Sequence, residues 1–132
     1  MISMCSEEEI RQMVDDFYAK VRRDEQLGPI FNSRIDDWDH HLVKLTDFWS
    51  SLLRGTTRFA GSPMTKHIAL PGLSAALFQR WLQLFHETTQ TLPNRMMAER
   101  ADAMAQRIAR SLWFGYQTSH RPDVLAEELD LR

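Results

Sequence analysis

The sequence predicts an all-α protein, and three observations carry that prediction. Apolar residues recur at steps of three and four along most of the chain. No run of four or more residues alternates between apolar and polar as a half-buried strand does. The prolines, at 29, 63, 71, 93 and 122, fall at the edges of the periodic stretches, where a helix tolerates or needs a break.

The first helix opens on a capping box, Ser6 followed by Glu9, and carries Ile10, Met13, Val14, Phe17 and Val21 on one face. It stops near Asp24 to Leu27. Gly28 and Pro29 then predict a break and a compact turn bearing Ile30 and Phe31. A second helix begins at Asp36 or Asp37, with Trp38, Leu42, Leu45, Trp49, Leu52 and Leu53 as its stripe and Gly55 at its end. The polar run from Thr56 leads to Ser62 and Pro63, which start a short helix that Leu70, Pro71 and Gly72 end after about two turns. His67 lies in its last turn. A third long helix starts at Ser74 and presents Leu77, Phe78, Trp81, Leu82, Phe85 and Thr89 before Leu92 and Pro93 stop it. The last runs from about Asn94 to Thr118 through Met97, Ala101, Met104, Ala105, Ile108, Leu112 and Tyr116. Beyond Pro122 the chain is acidic, with Val124, Leu125 and Leu129 at helical spacing, so this end either docks as a short helix or stays loose.

A chain of 132 residues makes one domain with one core. Sixteen Lys and Arg against eighteen Asp and Glu leave a net charge of -2, with no basic excess to recruit a phosphate backbone, so nucleic acid is not expected as a partner. No window approaches the ~18 uninterrupted apolar residues of a membrane span, and the first residues lack the basic end and apolar stretch of a secretory signal. These features predict a cytoplasmic protein without a membrane partner. Cys5 is the single cysteine, which excludes an internal disulfide, a Cys-rich zinc site and an iron-sulfur cluster. Its place near a loose, mobile terminus, with three glutamates after it that should raise its pKa, argues against a reactive thiolate. Seven Met, four Trp and seven Phe against two Tyr build either a dense helical core or a wall around a bulky apolar ligand.

Tyr18, His41 and Trp81 stand where periodicity calls for core. Taken singly, each reads as a side chain whose polar tip reaches the surface or a backbone carbonyl. With His67 between proline breaks, the set reads differently. Zinc is disfavoured, because His40 and His41 diverge by ~100° on a helix and no pair of histidines has the helical ligand spacing. Paired-carboxylate hydrolysis is disfavoured too, since the acids fall on caps and exposed faces. Haem uses this inventory better. A neutral imidazole such as His67 can take one axial position while large apolar side chains wall the macrocycle. A phenol, an indole and an imidazole, as in Tyr18, Trp81 and His41, can stabilise charge on a ligand at the other position.

These residues resemble those of the group III truncated haemoglobins of bacteria, and the resemblance covers residues 9–118. The matching blocks are Phe17-Tyr18 with Leu27-Gly28-Pro29-Ile30-Phe31, Trp38 with His41 and Phe48-Trp49, Gly61 and Pro63 with His67, and Phe78 with Trp81-Leu82 and Leu84-Phe85. The resemblance implies a two-over-two helical sandwich around haem b over residues 1–118, with residues 119–132 as an extension. It implies His67 as the iron ligand, Tyr18, His41 and Trp81 on the opposite, distal side, and Phe31 against the haem face. Leu45, Trp49, Phe78 and Ile108 are the further expected wall. Lys44, three residues beyond His41, is the expected partner of the haem carboxylates, with Arg58 and Lys66 as alternatives. The chain departs from the family in carrying Phe59 where Tyr is frequent, and in the His40-His41 doublet, where stripe phase favours His41.

The implied function is binding of dioxygen or another diatomic ligand by a monomer. Several distal donors slow release, which favours ligand capture or redox chemistry, such as nitric oxide dioxygenation, peroxide reduction or scavenging at low oxygen, over transport. The reductant is unidentified. The competing reading is a cofactor-free helical module that binds a partner protein or an apolar small molecule in a groove lined by Trp, Met and Phe.

Overall fold

The computed structural model describes residues 4–56 and 72–130, and all the regular structure there is helical. Helix α1 spans Glu7–Arg23, α2 Gly28–Arg34, α3 Trp38–Arg54, α4 Ala75–Thr89 and α5 Arg95–His120. The predicted short helix from Pro63, with His67, lies outside the described residues, as do Arg58, Phe59, Gly61 and Lys66.

The helix ends follow from the capping residues. Ser6 accepts from the Glu9 amide while Glu9 reaches back to the Ser6 amide, so the capping box closes both ways. Asp37, Ser74 and Asn94 cap α3, α4 and α5 by accepting from the backbone of His40, Leu77 and Met97. Gly55 ends α3 with φ 72°, a left-handed conformation that suits glycine. Asn94 also donates to Glu9 Oε2 and to the Met4 carbonyl, which ties the start of α5 to the start of α1.

Helices α1 and α3 pack over α4 and α5, with α1 touching α4 and α3 touching α5 across the layers. The centre is aromatic. Phe17, Trp49 and Phe85 are almost wholly buried; Trp49 stacks on Phe85 at 5.0 Å and Phe17 meets the same ring edge-on at 5.0 Å. Each such side chain removed from water stabilises the fold by about 1.5–3 kcal/mol.

Three expectations need correction. Gly28 and Pro29 do not form a bare turn but open α2, so Ile30 and Phe31 are helical. Pro29 suits a first turn because its missing N–H has no partner to lose there. Asp24 organises the corner: its carboxylate accepts from the amides of Gln26 and Leu27 and from Arg80 of α4 at 2.8 Å. A Cβ on Gly28 would lie 2.8 Å from the Arg22 carbonyl oxygen, so only glycine lets α2 sit this close to the end of α1.

The C-terminal segment is neither helical nor loose. The Gln117 side-chain amide donates to the Glu127 carbonyl and accepts from the Glu127 N–H, both at 2.9 Å. Gln79 donates to the Asp130 carbonyl at 2.8 Å, and Leu129 is buried beside Phe78, Leu112, Trp113 and Tyr116. Val124 and Leu125 stay exposed, so a single apolar side chain anchors the segment and no helical stripe is buried. Cys5, finally, is buried in the core rather than loose at the terminus. Burial is the main cause that pushes its thiol pKa up, with Glu9 and Glu7 adding to it and Arg54 opposing.

Candidate functional site

The phase of α1 turns both Phe17 and Tyr18 inward. Tyr18 is 4% exposed, and its ring lies against Phe17 at 4.6 Å, Phe31 of α2 at 6.1 Å and Trp38 of α3 at 6.2 Å. From α4, Trp81 stacks on Phe85 at 5.6 Å and meets Phe17 edge-on at 5.2 Å. Burial pushes the Tyr18 pKa well up, and the neighbouring Trp81 indole N–H only partly offsets it. The phenol is therefore neutral across the physiological range and keeps a proton to donate.

His41 is half-buried on α3, one turn from Trp38, and meets that indole edge-on at 5.8 Å. Lys44 is exposed one turn further along. Phe31, Leu45 and Ile108, from three different helices, are half-buried apolar side chains packed on the edge of the core. So are Leu77, Trp81 and Leu82. The structure thus brings Tyr18, Phe31, Trp38 and Trp81 together, with His41 joined to them through Trp38. Trp49 and Phe78 are placed differently from one another. Trp49 backs the group by stacking on Phe85, while Phe78 belongs to a second cluster with Trp113, which it meets at 5.7 Å, and the tail residue Leu129.

Sequence reasoning did not single out Arg22 or Asn32. The Arg22 guanidinium lies 4.6 Å from the centre of the Trp38 ring, and the Trp38 indole N–H donates to Asn32 Oδ1 at 3.1 Å. No local signal marks either residue, since each comes from a different helix. Among the described residues no group of three or more His, Cys, Asp or Glu could hold a metal ion, and no helix is long and apolar enough to cross a membrane.

The arrangement is a pair of neutral hydrogen-bond donors, a phenol and an indole, set in an apolar wall contributed by all five helices. It can stabilise negative charge developing on a small ligand while excluding water around it. Comparison with known proteins gives the family. A family model described as bacterial-like globin matches residues 3–113. A group 3 truncated hemoglobin of Campylobacter jejuni is 37% identical over 108 residues, which is 79% of this chain and 85% of that one. The crystal structure of a group III truncated hemoglobin from Campylobacter jejuni superimposes with a TM-score of 0.80 at 32% identity, over 91% of this chain and 95% of that one.

Proposed function

The chain belongs to the bacterial-like globin family and has a truncated globin fold, and from that premise we propose that it is a haem protein holding dioxygen or another diatomic ligand under Tyr18 and Trp81. The observation that carries this reading is the Tyr18 phenol, buried beside the Trp81 indole among apolar side chains. A polar group costs stability when buried unless it is satisfied. The phenol has its O–H and the indole its N–H to offer. That donor set fits haem better than a purely apolar guest.

When bound, haem would supply an iron that is held by a donor from the protein and binds a diatomic ligand. Within the chain, His67 is the proposed donor. Phe31, Leu45, Trp49, Phe78 and Ile108 are the proposed wall, and Lys44 the proposed partner of the carboxylates, ahead of Arg58 and Lys66. Tyr18 and Trp81 hold a partly charged ligand by hydrogen bonds from elements anchored in the core, while His41 stands at the mouth and controls entry. Two such donors favour retention of the ligand, and with it capture or redox chemistry over transport. Haem b in a monomer completes the proposal.

Adding haemin to the purified protein and recording the ferric, ferrous and CO absorption spectra tests it. A stoichiometric complex with a haem Soret band is expected. Protein that stays colourless would refute the proposal and favour a cofactor-free helical module.

A further inference from the structure

Trp38 is the first residue of α3 and its indole is held from two other helices. Arg22, near the end of α1, lies against the face of the ring, and Asn32 of α2 accepts from its N–H. The same Asn32 side chain donates to the Arg22 carbonyl at 3.3 Å. The contacts close a circuit: Arg22 side chain to Trp38 ring, Trp38 N–H to Asn32, and Asn32 back to the Arg22 backbone. The base of this circuit is rigid, because α2 abuts α1 at Gly28 too closely for any other residue.

Two residues assigned to the ligand side touch the free parts of that ring. His41 meets it edge-on, with an interplanar angle of 86°, and Tyr18 approaches it at 6.2 Å. Trp38 is thus in ring contact with both of them. We propose that Trp38, fixed by Arg22 and Asn32, is the latch of the His41 gate: it positions the imidazole across the mouth and so sets how often the pocket opens. The latch rests on the reading of this pocket as a ligand site. It acts on entry and not on retention, since the donors proposed for retention are the Tyr18 phenol and the Trp81 indole and not Trp38.

Asn32 is exposed, so Asn32→Ala loosens the latch without opening the core. In the haem-loaded protein, CO association should rise about two- to tenfold, the range that losing one neutral hydrogen bond allows, with oxygen dissociation unchanged. Trp38→Leu should act at least as strongly. Asn32→Asp keeps the acceptor for the indole but loses the donor to the Arg22 carbonyl, and should restore only part of the parental rate. In a His41→Ala background Asn32→Ala should add nothing. Equal acceleration with and without His41, or no acceleration in either Asn32→Ala or Trp38→Leu, overturns the latch and leaves the haem reading intact. A second readout needs no haem: the His41 ring protons, shifted in NMR spectra by the neighbouring indole, should move towards unshifted positions in Asn32→Ala. If the protein takes up no haem, the ligand reading fails, and this NMR shift decides the latch alone, an unchanged shift overturning it.

Discussion

Replacing Tyr18 with Phe removes a single oxygen atom and keeps a ring that packs against Phe17, Phe31 and Trp38. Two separable effects follow. In the protein itself, the retained ring keeps its packing, so stability should change by no more than about 1 kcal/mol. At the ligand, a donor to a partly charged group is lost, worth about 1.5–3 kcal/mol, or roughly 10- to 150-fold in release rate. The second effect is much larger in kinetic terms and falls on oxygen more than on CO, which carries less charge. Stopped-flow oxygen dissociation, beside urea unfolding of the same variant, separates the two. Trp81→Phe should also speed oxygen release. Because burial holds the Tyr18 phenol above its ordinary pKa of about 10, the release rate should show no tyrosine titration below that pH. Oxygen release at the parental rate in both variants would refute the donor pair, whatever the stability change.

Gly28→Ala should destabilise the fold by about 1–3 kcal/mol in denaturant titration, since its Cβ would meet the backbone of Arg22 and not a side chain able to move away. Lys44→Ala should speed haem loss to apomyoglobin less than about fivefold, because exposed ion pairs contribute at most about 1 kcal/mol; a colourless variant would give Lys44 a larger role. Leu129→Ala should free the C-terminal segment, raising hydrogen exchange at the Glu127 amide and costing about 2 kcal/mol, with α1 to α3 unaffected.

The long helices were legible because their signals are local. Ser6 with Glu9, Ser74 and Asn94 stand three residues from the amides they cap, and the apolar stripe of α1 marks the face that the structure buries. Helix α2 was not, because Gly28 and Pro29 read equally as a turn and as a helix start. What decides is tertiary: Asp24 is held by Arg80 from α4, and α2 is pressed onto the end of α1. The docked C-terminal segment escaped for the same reason, since Gln117 and Gln79 lie in other elements and helical spacing of Val124, Leu125 and Leu129 pointed elsewhere. At the site, periodicity turned Tyr18 and Trp81 inward, but only the folded chain joins them. The Arg22–Asn32–Trp38 circuit draws on three helices, and spacing along the chain carries no trace of it.

The central claim is that this fold holds haem through His67 and meets its ligand with Tyr18 and Trp81. The ferrous CO absorption spectrum of His67→Gly, recorded with and without added imidazole, tests it most directly. The account predicts a spectrum altered from the parent's that imidazole returns towards it, as free imidazole would replace the lost His67 side chain. A variant that binds haem with the parental spectrum and does not respond to imidazole would show that another residue holds the iron, and would contradict the account.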